Sequence, residues 1–492
     1  MSNNPSQLPA DCLNEIFEYL EDDKISLHSC LLVDRLWCGV SVRILWRDVW
    51  TFKYTVPIQY RLVVPSQIFN TLIACLPNES KELLYKNGIF ITTQAWKSLF
   101  NYASFCKNLS IREVDLMIRH SVEKQQNSTS HNVNFYKYLI LQEILKMYMS
   151  QISSLKSLDY DLEISKTVQN ILFTYFPGAK NCLSNLSVFS CDSNICSEFF
   201  FQLSQICQNI QSLTITFENV ISNGLSDLIS LQKNLRHVTL IAAYGGENDW
   251  TEIITSLARF PLTKLKIFGY DAYMPLSFLS TFTYLQEIIL SYDDTDILDF
   301  HKLQYVEFPH LQILKFQYAF PKVEMLIKFL EINGKYLTEF YVGYHNNSLN
   351  LAVAKSCPNL KKLYLIFMKN ELETLKLVFN SCQHLESIKI VCGAKYLREK
   401  EMLDVVSKYS PKNFYELKVD NYTQSKLLPE EFESFFTSWN DRKPQKSLSL
   451  IIVFVFNDDI GLYVNDENMK IIEKYRKLGV IRKLGTESFE EI

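Results

Sequence analysis

Cysteine, histidine and acidic residues are the first places to look for chemistry in this chain. Twelve cysteines and eight histidines are spread over 492 residues. Zinc or dithiol chemistry needs close pairs such as Cys-x-x-Cys or His-x-x-x-His. Neither occurs, and Cys191 with Cys196 is the nearest approach. A cysteine nucleophile needs a histidine or acid beside it; Cys75 and Cys106 carry no such pattern. Asp293, Asp294 and Asp296 lack the alternate spacing and glycine of a calcium loop and read as solvated. Gly245-Gly246 reads as a turn. No phosphate loop, dinucleotide fingerprint, zinc-protease helix or nucleophile elbow is present. The expectation is a non-catalytic protein with no metal and no cofactor, whose work is binding.

Bulk properties narrow the partners. The chain is 47% hydrophobic with a formal net charge of -4, which suits a well-packed protein and offers nothing to nucleic acid or an anionic membrane. The start, MSNNPSQLPADCLNEIF, has neither a basic segment nor an apolar core of a secretory signal. The longest apolar run, 448–456, is broken by Ser449 and falls well short of the roughly 18 residues of a membrane span. The cysteines are expected to be buried free thiols, which implies a reducing compartment, cytoplasm or nucleus.

The elements that would position a binding surface show as a repeat. An apolar-x-x-apolar-x-apolar triplet recurs with middle members Leu186, Leu213, Val238, Leu265, Ile288, Leu314, Phe340, Leu363, Ile388 and Leu417. Successive members lie 23 to 29 residues apart, within the roughly 20–29 of a leucine-rich repeat. Leu155-Leu158-Tyr160 extends the series backwards, Ile111-Val114-Leu116 reads as an irregular earlier member, and Leu448-Ser449-Leu450 closes it. The last part of each triplet predicts a short strand; stretches such as 197–207, 323–332 and 371–380 have helical apolar spacing. One unit cannot bury its own apolar face, so units stack. The expected fold is α/β: a curved solenoid with parallel strands on the concave face and helices on the convex face. Residues 47–50 read as a first strand-like segment, 121–134 as a polar loop, 135–149 as a helix, 457–468 as a loop, 469–477 as a short helix and 487–492 as a frayed end.

Several units open with Cys-x-x-apolar, at Cys207, Cys357 and Cys382. This resembles the cysteine-containing class of leucine-rich repeat. Strand positions beside the middle member point outward. Those after it are small and polar first, at Ser187, Thr214 and Thr239, and become cationic and aromatic later. Lys264, Lys266, Lys315, Tyr341, Lys362, Tyr364, Lys389 and Lys418 are the candidate substrate-binding residues, suited to an acidic or phosphorylated protein.

Residues 8–46 read as three short helices with too small a core of their own and apolar positions left over for a partner. Leu8-Pro9, Ile16, Leu20, Leu27, Leu32-Val33, Arg35, Trp37 and Leu45-Trp46 resemble the F-box motif. With the repeats behind it, the chain resembles F-box/leucine-rich-repeat proteins of the fungal type. That resemblance implies a substrate-recognition adaptor of an SCF-type ubiquitin ligase. Leu8, Pro9, Ile16, Leu20, Leu32, Val33 and Trp37 would bind the ligase linker protein and, through it, the cullin and RING subunits. Ser26, Asp34 and Leu36 depart from the motif's usual residues. Ser26 and Asp34 point to the alternative, a repeat scaffold or inhibitor that does not reach the ligase. The expected organisation is an F-box at 1–50, an irregular linker and cap at 51–150, repeats at 151–456 and a C-terminal cap and tail at 457–492.

Overall fold

A computed structural model describes residues 8–51, 63–89, 98–125, 130–161, 171–242, 250–269, 276–292, 297–443, 446–454 and 466–488. The chain divides into two compact units, residues 1–241 with 246–260, and residues 242–245 with 261–492.

The first unit begins with helices α1 (Ala10–Glu18), α2 (Lys24–Cys30) and α3 (Arg35–Leu45). Their shared interior is Leu13, Phe17, Leu27, Val40 and Ile44. Asp23 and Asp34 each accept the backbone N–H three residues on, at 3.0 and 2.8 Å, and so cap α2 and α3. Asp34, a departure from the F-box pattern, is therefore a start signal for the third helix. The Arg47 guanidinium holds the Glu18 carboxylate with two bonds of 2.6 and 2.7 Å, which ties α1 to the chain leaving α3.

Strands β1 (Asn108–Ser110), β2 (Ser157–Tyr160), β3 (Val188–Asp192), β4 (Ser212–Phe217) and β5 (His237–Ala242) follow, adjacent in chain order. Four expectations change here. Trp46–Asp48 is a 3-10 turn, where residues 47–50 read as strand-like, because Trp46, Val49 and Trp50 all turn into the core. Ile111, Val114, Ile118 and Val122 are buried along one stripe of the helix Ile111–Gln125, so the first strand centres upstream on Leu109. The polar stretch 121–134 is helical up to Gln125 and again from Ser130, with 126–129 outside the described residues. Finally, β3 pairs Phe189 with Leu158 and Leu213, so its triplet is Leu186-Phe189-Cys191, three residues later than expected. Leu186 is fully buried but serves as the first member.

The second unit contains β6 (Lys264–Gly269), β7 (Glu287–Tyr292), β8 (Ile313–Gln317), β9 (Glu339–His345), β10 (Lys362–Ile366), β11 (Ser387–Cys392) and β12 (Glu416–Asn421). Two more strands complete it, β13 (Leu448–Phe454) and β14 (Ile481–Ser488). Every neighbouring pair is parallel; Leu265, Ile288, Leu314, Phe340, Leu363, Ile388 and Leu417 lie side by side in the expected register, and Leu450 continues the row. The connections after β6 and β7 carry 3-10 turns; those after β8 through β13 each carry a helix. β14 takes residues 487 and 488 into the sheet, where a frayed end was expected. Asp293, Asp294, Asp296, Gly245 and Gly246 lie outside the described residues, as do 457–465 and 489–492.

All twelve cysteines are free thiols, and those opening repeats are interior. The Cys207 thiol donates to the Leu186 carbonyl at 3.2 Å, and that of Cys382 to the Cys357 carbonyl at 3.4 Å, so sulfur links one repeat to the one before. Burial pushes the Cys382 thiol up to about 12 and raises Cys357 further. No described helix is long and apolar enough to cross a membrane.

Candidate functional site

Two surfaces, one in each unit, gather the residues singled out by the sequence. The first lies on the N-terminal helices. Once Leu13, Phe17, Leu27, Val40 and Ile44 have closed the interior, apolar side chains remain outside it. Leu32 is 81% exposed, Val33 58%, Leu8 51% and Ile16 48%. Pro9 is exposed as well, and Leu20 and Trp37 are half-buried. Trp37 leans edge-on against Phe17, with ring centres 5.0 Å apart, which anchors it from beneath. Tyr19, 91% exposed, and Ile25 belong to the same module and were not among the sequence candidates. Ile25 falls off the buried stripe of α2, and Tyr19 follows the last residue of α1.

The second surface is the outward face of β6–β12. Strand alternation puts Lys264, Glu287, Ile313, Glu339, Lys362, Ser387 and Glu416 in one cross-strand row. Lys266, Ile289, Lys315, Tyr341, Tyr364, Lys389 and Lys418 form the next. The eight candidates thus occupy two adjacent rows, interleaved with three glutamates. Lys264 pairs with Glu287 at 2.7 Å and Lys362 with Glu339 at 2.9 Å. That hydrogen bond raises the Lys362 pKa. Ser387 donates to Glu416 at 2.7 Å.

In the second row the Lys315 ammonium lies 4.2 Å from the Tyr341 ring centre, and Lys389 lies 4.6 Å from that of Tyr364. Burial lowers the pKa of Lys266 and of Lys315. Lys389 is almost wholly interior and faces Asp420 across 3.5 Å; burial raises the Asp420 pKa while Lys389 opposes the rise. Tyr364, Ile366 and Val391 form a buried apolar cluster on this face, flanked by half-buried Tyr341 and Tyr396. Lys389 is therefore an internal support of the face, and Lys266, Lys315 and Lys418 are half-buried on it. In the first unit the outward positions are small and polar or acidic: Ser110 donates to Asp159 at 2.8 Å, and Ser190 takes the place expected for Ser187.

Among the described residues no cluster of histidine, cysteine and acid has a metal-binding arrangement. No family model matches the chain. No curated protein matches it in sequence. Among solved structures it is similar to the leucine-rich repeat-containing protein LegL7 from Legionella pneumophila, at 13% identity and a TM-score of 0.34, over 68% of this chain and 93% of that one. A second is the mouse RP105/MD-1 complex, at 11% identity and a TM-score of 0.30, over 70% and 80%. At those scores the likeness carries no argument. The leucine-rich-repeat architecture rests on the chain's own repeat length and parallel register.

Proposed function

We propose that the protein is a non-catalytic adaptor: the N-terminal helices dock on the linker protein of an SCF-type ubiquitin ligase, and the repeats hold the protein to be modified. The observation that carries this reading is the exposure of Leu8, Ile16, Leu32 and Val33 on a module whose own interior is closed. Apolar side chains left in water at several points of one small module favour a partner that covers them. These positions are also the ones that match the F-box motif. Linker, cullin and RING subunits would supply the transfer chemistry, and the outward strand face of the second unit would present the substrate.

The test is binding to purified SCF linker protein by wild type, by the Leu8→Ala/Pro9→Ala variant and by the Leu32→Asp/Val33→Asp variant. Wild type is expected to bind, and each variant to lose at least tenfold in affinity, about 1.4 kcal/mol, with unchanged thermal unfolding. A folded wild type that does not bind would sink the ligase reading. The repeats would then act as a binding scaffold without a ligase.

A further inference from the structure

We infer that a cleft at one end of β11 and β12 is a binding site for an anionic group, phosphate or carboxylate, carried on a peptide segment of the partner protein. The cleft has a volume of about 650 Å3 and is lined by Lys369, Arg398, Lys400, Thr423, Gln424 and Lys426, with three glutamates among them. None of these residues belongs to the lysine and tyrosine rows of the strand face.

The charge balance favours an anion because the carboxylates are already engaged. Glu399 is buried and accepts from the Asn421 side-chain amide at 2.9 Å and from the Lys426 backbone N–H at 3.1 Å. Glu431 pairs with Lys400 at 3.0 Å and accepts the Leu428 backbone N–H at 3.2 Å. Glu401 lies 3.6 Å from the Arg398 guanidinium. Among the described residues Lys369 and Lys426 have no carboxylate partner, and both side chains are exposed. Four cationic side chains and three carboxylates line the cleft, so its formal charge is positive by one.

The walls are held in place before any ligand arrives. Lys369 N–H donates to the Lys395 carbonyl at 3.3 Å, and Tyr422 N–H to the Cys392 carbonyl at 2.9 Å, joining three successive loops. Gly393 and Ala394 both have left-handed backbone conformations, with φ of 91° and 46°. Ala394 bears that conformation with a side chain, a cost that persists only where surrounding contacts enforce it. Gly393 has no room for a Cβ, which would collide with Thr423. A peptide is favoured over a small free anion by the neighbouring aromatics. Tyr422 is 63% exposed and packs edge-on against Tyr396 at 5.4 Å, which gives an apolar surface beside the cationic cleft.

This inference rests on the reading of the repeats as the partner-holding part, and not on the N-terminal docking. The test uses the full chain and three pools of 11-residue peptides with random flanks, fixed at the centre as phosphoserine, glutamate or serine. Wild type is expected to retain the phosphoserine or the glutamate pool at least tenfold over the serine pool. Lys369→Glu/Lys426→Glu should abolish that preference. Lys355→Glu/Lys408→Glu, which makes the same charge change elsewhere in the unit, should keep it. Which anionic pool is retained separates phosphate from carboxylate. Equal retention of all three pools by wild type, or a preference that survives in the Lys369/Lys426 variant, would overturn the site. The Leu8→Ala/Pro9→Ala variant should bind peptide as wild type does, so failure of the ligase reading leaves this result unaffected.

Discussion

Asn333 joins two repeats with one side chain. Its Oδ1 accepts the buried Phe308 N–H at 2.7 Å, and its Nδ2 donates to the carbonyls of Val306 at 2.9 Å and Phe329 at 3.2 Å. Gln232 does the same in the first unit, accepting from Ile210 N–H at 2.9 Å and donating to Cys207 and Leu228. Leucine at 333 would fill the volume but strand a buried donor and an acceptor. Asn333→Leu is expected to cost about 2–3 kcal/mol in urea unfolding. Asn359→Ala, which removes an exposed bond of 2.8 Å to the Lys335 carbonyl, should stay within about 0.5 kcal/mol. Equal shifts for the two would show that the amide is not a link. Neither amide was legible in the sequence. Their partners in the neighbouring repeat, Val306, Phe308, Cys207 and Ile210, lie more than twenty residues away, and a lone polar residue leaves no periodic trace.

Among elements, the strands show where spacing decides and where it does not. In the second unit the predicted middle members pair side by side from Leu265 to Leu417. Around β3, Leu183, Leu186 and Phe189 are apolar at steps of three, so the triplet can slide by one step and still match. Pairing with β2 and β4 settles it: Phe189 is buried and Val188 is 42% exposed, the reverse of the earlier register. Phe189→Ala is expected to cost about 3–5 kcal/mol, and Val188→Thr to fall within about 0.5 kcal/mol. Circular dichroism against urea reads both, and a large loss at Val188 with tolerance at Phe189 would restore the rejected register. β14 escaped for a different reason. A register shift opposite Leu448 and Ser449 breaks its apolar spacing, so Ile481–Ser488 carries no triplet to find.

Over the first unit as a whole, the residues that leave α3 join the interior of the early repeats, which the sequence boundary at residue 50 does not anticipate. The Trp46 ring lies 4.7 Å from Tyr102 and that of Trp50 lies 6.4 Å from Tyr148. The Trp50 indole N–H donates to the Asn108 carbonyl at 2.5 Å, Asn108 in turn donates to Asp48 at 2.9 Å, and Lys107 N–H donates to the Arg47 carbonyl at 2.9 Å. These bonds fasten the end of the helical module to the start of β1. Local patterning shows which residues are apolar, but not that Trp46 and Trp50 turn toward residues fifty to a hundred positions later. Removing residues 1–50 therefore strips two buried tryptophans from the repeat core, each worth about 3–5 kcal/mol. The truncated protein is expected to unfold at lower temperature than wild type, with increased hydrogen exchange in β1 and β2. Leu32→Asp/Val33→Asp, at side chains already in water, should leave both measurements unchanged while removing the same docking surface. Only the point variants can then separate loss of docking from loss of fold. If the truncated chain melts and exchanges like wild type, the shared interior is wrong and the module is an independent domain.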